Sequence, residues 1–484
     1  MSEKIEELRQ VKIQKIKQLR EMGIDPYPVD SNRTHSIGEA LKNFEKYSQD
    51  QTPVIFNGRI RSIRTHGKLN FFDLEDESGR IQMLLKSDAL GDDAKLIPLL
   101  DLGDFLEAEG ILALSKTGQQ SLMVNKIRLL AKSVLPIPTE HFGLEDLETR
   151  LRKRYLDMIA NAETRELFRK KAIFWQTIRQ FLISKGFLEV WTPVLENATG
   201  GADAEPFVTH HNALDRDFYL RISLELPLKR LLVGGYEKVF EIGRLFRNEG
   251  IDRDHLQEYD DIEFYWAYSD YLKGMDLVEN LFREIVQNVA GTLQTKYEGN
   301  DIDWSQAWPR LDYFDLFKQE TGLDLNSVTD KELHEKAVAL KLKVEKGIGR
   351  GRLIDTIYKK TVRPKLIQPC FLVGHPLETS PLAKKDPANP AKILRFQPIA
   401  GASELGNGFS ELNDPLDQRT RFEEQMKMKA AGDKEAHMMD TDYVEAMEYG
   451  MPPAVGFGMS ERLFSMIMDK SIRETVIFPP MKEE

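Results

Sequence analysis

FRNEGIDRDHLQEYDDIEFYW, residues 246–266, decides how the fold is read. Two strand-like runs flank a polar, glycine-containing turn, which reads as a hairpin carrying Arg247, His255 and several carboxylates. The distant GFGMSERLF, residues 456–464, adds Arg462 after a pair of glycines. Activating a carboxylic acid with ATP brings two anions together, and a fixed guanidinium touching both lowers that barrier. Arg247 is the candidate. Nearby carboxylates can hold Mg²⁺ against phosphates or receive an ammonium, and Tyr259 can stack on adenine. These are the parts of an ATP site without a Walker loop. A second reading stays open, in which Arg247 and Glu249 are a cross-strand ion pair on an exposed hairpin.

The rest of the chain sets limits on both readings. At 484 residues it exceeds one comfortable core, so two or three domains are expected. Its 41% hydrophobic and 30% charged content describes a globular protein. A net charge of −11 argues against nonspecific coating of nucleic acid, although a local basic surface is compatible with it. Cys370 alone supports neither a disulfide framework nor a cysteine-based zinc site. No apolar run is long enough to cross a bilayer, so the expectation is a cytoplasmic protein with no membrane partner.

Outward from the hairpin, organisation follows from periodicity. Residues 1–50 form a helical extension: Ile5, Leu8, Val11, Ile16 and Leu19 recur at helical spacing among lysines and arginines, until Gly23, Pro26 and Pro28. Its basic residues either touch RNA phosphate or form a solvated face. Residues 51–136 switch to about five short strands, with a helix-like insert near residues 88–100, which suits an OB-type barrel. Such barrels stack single-stranded bases on aromatics, and Arg64, Phe71 and Gln82 are the candidate reading surface. Alternation allows only one of Phe71 and Phe72 to face outward. Residues 137–160 read as a linker that turns helical. From 161 to 484 a long helix bearing Phe174, Trp175, Ile178, Phe181 and Leu182 stops at Gly186, and FLEVWTPVL follows as a strand broken at Pro193. Strands and helices then alternate without a βαβ rhythm, so an antiparallel α+β domain is expected, with a helical insertion at about residues 327–363. GIGRG, residues 347–351, lacks the spacing of a phosphate loop and reads as a helix entry.

The helix with TPVL, the FRNE hairpin and GFGMSER resemble motifs 1, 2 and 3 of class II aminoacyl-tRNA synthetases. The run GGADAEPFVTHHNALDRDFYLRISLELPLKRLLVGGYEKVFEIGRLFRNEG, with LGNGFSELND further on, resembles bacterial-type class II lysyl-tRNA synthetase over nearly the whole chain. The resemblance implies an antiparallel catalytic sheet flanked by helices, an N-terminal OB-fold anticodon-binding domain, and ATP, L-lysine and tRNA(Lys) as partners. It implies that Arg247 contacts the α-phosphate and the lysine carboxylate. Glu249, His255 and Glu404 would face the nucleotide, Tyr259 would stack on adenine, and Arg462 would lie against adenine and the γ-phosphate. Taken alone, GFGMSER would make Arg462 an ordinary helix-start residue.

For the amino acid, the resemblance implies Glu411 on the ε-ammonium, with Tyr265 supporting it and Phe409 along the methylenes. Glu225 and Glu263 would hold the α-ammonium beside Gly201, and Asn407 would fix the carboxylate side. Acids at both ends of an apolar channel suit a dibasic substrate, whereas an aspartate pocket would need a cation in place of Glu411. Mg²⁺ is implied at Glu404, Gln397 and Glu411. The family usually has glutamate where Gln397 stands, which lowers the negative charge and leaves the number of ions open. Asp260 and Asp261 replace usually uncharged residues, and Gln119 replaces a common anticodon-contacting glutamate. In this class Pro193 and the preceding helix build a two-fold interface, so a homodimer is expected; alternatively the helix aromatics fill an intramolecular core. Two other functions stay open: a lysyl transferase modifying a protein such as a translation factor, and a non-enzymatic RNA-binding paralogue.

Overall fold

The computed structural model describes residues 3–138, 146–202, 204–250, 256–344, 348–430 and 438–482. His255 and Gly347, both singled out above, lie outside them. The described chain forms two compact units: residues 1–150 with 155–161, and residues 151–154 with 162–484.

In the first unit, five strands close into a barrel: Pro53–His66, Leu69–Glu75, Arg80–Lys86, Phe105–Leu114 and Gln120–Ala131. Period-two alternation sends Phe56, Phe72, Leu74, Met83 and Leu106 inside, all fully buried, while Phe71 stays half-buried on the outer side. Arg64 pairs with Phe71 in register, and Gln82 pairs with Asp73, so Arg64, Phe71 and Gln82 share the barrel's outer face. Gln82 is nevertheless buried there, accepting a hydrogen bond from Ser121 Oγ at 3.2 Å.

The N-terminal helix spans Glu3–Glu21. Its basic residues are neither an all-solvated face nor all free for phosphate. Lys12 is buried and donates to Ser133 Oγ (2.8 Å) and the carbonyl of Leu102 (3.2 Å), and Lys15 pairs with Asp101 at 2.7 Å. Two lysines thus stitch the helix to the barrel, which spacing alone did not reveal.

The second unit is built on a mixed sheet. Its order is Arg310–Asp312, Cys370–Val373, Arg395–Ala400, Asn407–Ser410, Ala454–Ser460, Glu258–Ala267, Lys238–Phe246 and Leu188–Glu189, with Ser403–Glu404 paired to Arg395–Ala400. Both outermost pairs are parallel and the interior pairs antiparallel, in keeping with the α+β expectation. One face of the central strands presents Ile262, Phe264, Val455, Phe457 and Met459 to a core shared with two helices, Ala162–Ser184 and Tyr271–Ala290. That long helix buries Phe174, Ile178, Phe181 and Leu182 in the same core. Gly186 ends the turn after it with φ +82°, a conformation that only glycine adopts freely. The insertion contains the helices Asp330–Ala339 and Arg350–Thr361; Gly349 caps the latter, so this part of GIGRG is a helix entry.

Candidate active site

The face of the sheet opposite that core is the floor of a 390 Å³ cavity. Residues at alternate positions of one strand must share a face, so Asp261, Glu263 and Tyr265 all line it. Two rows run across three strands. Glu263, Gly458 and Asn407 are consecutive register partners, as are Tyr265, Gly456 and Phe409. The glycines keep the middle strand low between the bulky functional residues. A Cβ at Gly456 would collide with Glu411 Oε1 and the Tyr265 ring, so this position admits no side chain without displacing both.

Of the residues proposed from sequence for nucleotide and amino-acid binding, Gly201, Glu225, Arg247, Glu249, Tyr259, Glu263, Tyr265, Gln397, Glu404, Asn407, Phe409, Glu411 and Arg462 all line this one cavity. Arg64, Phe71 and Gln82 belong to the barrel. Arg247 is not half of an exposed cross-strand pair. Its guanidinium lies 5.5 Å from the centroid of the Tyr259 ring, and its Nε is buried without a hydrogen-bond partner among the described residues. The exposed ion pairs of the hairpin belong instead to Arg244, which meets Asp260 at 2.8 Å and also Glu258.

Electrostatics concentrate here. Burial alone would lower the Arg247 pKa, but its interactions with the acidic groups of Tyr259, Asp261, Glu249 and Glu263 raise it. Burial pushes the Asp261 carboxyl well up, and the charge of Glu263 pushes it further. Glu263 is also raised, by burial and then by Glu225. Its oxygens are held in place by Ser223 Oγ (2.7 Å), the Leu224 amide (2.8 Å) and Tyr265 Oη (2.7 Å). Burial likewise drives the Glu411 pKa well up, with Lys229 opposing it. Asn407 Oδ1 accepts from Arg395 Nε at 2.5 Å, which leaves the Asn407 amide as the donor toward the cavity.

Several residues of the site escaped sequence reasoning because their importance lies in pairing across long separations. Arg221 and Glu241 form a buried ion pair at 2.6 Å, and Glu241 Oε2 accepts from the Thr192 amide (2.9 Å) and hydroxyl (2.7 Å). The segment before Pro193 is thereby tied to the hairpin. Lys171, on the long helix, ion-pairs with buried Glu461, the residue preceding Arg462. Lys229 is completely buried between Glu225 and Glu411. Its place four residues after Glu225 on one helix was the only available signal.

At the other end of the cavity, Gln397 Oε1 lies 3.0 Å from His375 Nε2, and Gln397 Nε2 donates to Glu404 Oε2 at 3.4 Å. Arg363 reaches Glu404 Oε1 at 3.3 Å. Burial, followed by Arg395, holds His375 well below the usual histidine pKa, so its ring is neutral. Among the described residues, no group of three or more His, Cys, Asp or Glu is arranged to hold a metal ion.

Comparison with known proteins agrees with this geometry. Residues 146–482 match tRNA synthetases class II (D, K and N), and residues 54–130 match the OB-fold nucleic acid binding domain. The lysine–tRNA ligase of Moorella thermoacetica is 44% identical over 480 residues, covering 98% of each chain. That of Roseiflexus castenholzii is 45% identical over 484 residues and 99% of each. That of Staphylococcus epidermidis is 41% identical over 495 residues and 100% of each. By these full-length matches, the chain belongs to the class II lysyl-tRNA synthetases.

Proposed function

We propose that the chain activates L-lysine with ATP to lysyl-adenylate and transfers the lysyl group to the 3′ end of tRNA(Lys). The observation that carries this reading is the meeting of Glu225, Glu263 and Glu411 with the partly buried cation Arg247 in one cavity. Acids recognise the two ammonium groups, and Arg247 draws the carboxylate onto the α-phosphate. Glu411 Oε1, buried and without a partner among the described residues, is the group left for the ε-ammonium. Tyr265 and Phe409 line the methylene stem, and the Asn407 amide and Gly201 flank the amino-acid head. Tyr259 carries the adenine, with Arg462 and Glu249 on the nucleotide. The lysine carboxylate attacks the α-phosphorus in line and pyrophosphate leaves. The terminal ribose hydroxyl of tRNA then attacks the mixed anhydride, releasing AMP. Positioning and charge neutralisation provide the acceleration, without a covalent enzyme intermediate.

Of the three candidate ligands, Glu404, held among the described residues only by long contacts to Arg363 (3.3 Å) and Gln397 (3.4 Å), is the carboxylate that would join ATP phosphates in holding Mg²⁺. Bound there, Mg²⁺ would neutralise the phosphates and favour departure of pyrophosphate. Gln397, whose carbonyl is engaged by His375, and Glu411, paired with Lys229, are poor further ligands. Among the described residues no helix is long and apolar enough to cross a membrane, and we assign the activity to the cytoplasm, where translation occurs.

We also propose a homodimer. Around Pro193, the large apolar residues Ile183, Leu188, Trp191, Val194 and Leu195 are exposed, Trp191 by 78%, a pattern that calls for a covering surface. Sedimentation at micromolar concentration should give twice the chain mass; a monomer there would refute the proposal. The activity itself is tested by lysine-dependent exchange of pyrophosphate into ATP.

A further inference from the structure

Lys229 is fully buried and does not line the cavity, yet both acids it touches do. Its Nζ meets Glu225 Oε1 at 2.5 Å and forms an ion pair with Glu411 Oε2. The rings of Phe409, Tyr443 and Tyr265 surround it, with centroids 5.3, 5.9 and 6.0 Å from the ammonium. Glu411 Oε1 has no partner among the described residues and lies against Gly456, where no side chain fits. Among the described residues neither Glu411 oxygen accepts a hydrogen bond, but the ion pair distinguishes them: Oε2 faces the Lys229 ammonium and Oε1 has no cation beside it.

We infer that Lys229 is a specificity-determining residue that makes Glu411 a one-oxygen acceptor, admitting an ammonium and rejecting a guanidinium. This deepens, and rests on, the reading of Glu411 as the partner of the substrate side chain. An ammonium is a compact charge that a single carboxylate oxygen can receive. A guanidinium gains its advantage by a fork that uses both oxygens of one carboxylate. With Oε2 already held, L-arginine would find half of that fork and would leave guanidinium donors unpaired in a buried site, a heavy penalty for the wrong substrate. Lys229 thus acts as a positioning residue through Glu411, without touching substrate.

The test compares L-lysine and L-arginine in pyrophosphate exchange, with L-arginine also titrated as a competitive inhibitor against L-lysine. In Lys229→Met, the ratio of kcat/KM for lysine over arginine should fall about tenfold or more, the scale of selectivity lost with one fork contact. The inhibition constant of arginine should fall, the KM for lysine should rise and the KM for ATP should hold. Lys229→Arg, which keeps the cation, should retain more discrimination than Lys229→Met. Because removing one partner strands buried carboxylates, Lys229→Met combined with Glu225→Gln supplies a charge-balanced second variant; loss of Glu225 weakens the shared α-ammonium of both amino acids alike, so the lysine-over-arginine ratio should still fall. Equal losses for lysine and arginine, or unchanged exclusion of arginine in a variant that still binds ATP, would overturn the inference while leaving the role of Glu411 intact. Failure of the unaltered protein to use lysine at all would instead remove the reading on which the inference rests.

Discussion

Arg247, partly buried, and Glu411, fully buried, illustrate how two opposite charges in one cavity divide the work. Arg247 sits among the acidic groups of Tyr259, Asp261, Glu249 and Glu263, and Glu411 is paired through one oxygen with Lys229, so each has a substrate partner left to meet. Arg247→Ala should abolish lysine-dependent pyrophosphate exchange, by about 10³-fold or more as expected for a lost transition-state cation. Its melting temperature should remain near that of the parent. Glu411→Gln should instead raise the KM for lysine far more than that for ATP. Near-normal exchange in the first, or equal losses for both substrates in the second, would contradict these roles. The types and order of these residues were legible in the sequence, since FRNE, GFGMSER and GFSELND carry them. Lys229, Arg221 and His375 were not legible, because the partners that give them meaning, Glu411, Glu241 and Gln397, are brought near by folding alone.

Among the elements, the central strands were the most readable. Their alternation directs Asp261, Glu263 and Tyr265 to the cavity, and Ile262 and Phe264 to the core, which a period-two pattern foretells. The short segment after Pro193 was less readable. Its Glu196 has a buried Oε2 without a partner among the described residues, and burial, then Asp440, pushes its pKa from 4.5 to about 8. Between those values the unfolded chain has released this proton and the folded chain retains it. Stability therefore falls as pH rises through the window, by up to about 1.4 kcal/mol per pH unit from this group, and levels off above it. Glu196→Gln should lose that component of the slope and melt several degrees higher than the parent at pH 8. Parallel melting curves across pH 5–8 would show that Glu196 is not the source. The N-terminal helix shows the opposite limit of sequence reading: its period was evident, but the burial of Lys12 depends on carbonyls supplied far along the chain.

At the scale of the whole molecule, the barrel and the catalytic unit are expected to divide recognition from chemistry. Phe71 sits on the outer face of the barrel with Arg64 opposite it, and the matched nucleic acid binding domain spans both. Phe71→Ala should raise the KM for tRNA about tenfold, consistent with loss of one stacked base, and leave tRNA-independent adenylate formation unchanged. A fall in exchange activity would contradict that division. The boundary between a barrel of short strands and a region of mixed elements was visible as a change of period. The residues that fix substrate charge were visible only in part, since the sequence shows which acids are present but not which of their oxygens remain unpaired. The central claim is that acids at both ends of one channel select a dibasic amino acid while Arg247 joins its carboxylate to ATP. Its most direct test is pyrophosphate exchange measured with each of the twenty amino acids in turn. Exchange with L-lysine, well above every other amino acid, is predicted; preferential exchange with an acidic or neutral amino acid, or none with lysine, would contradict the account.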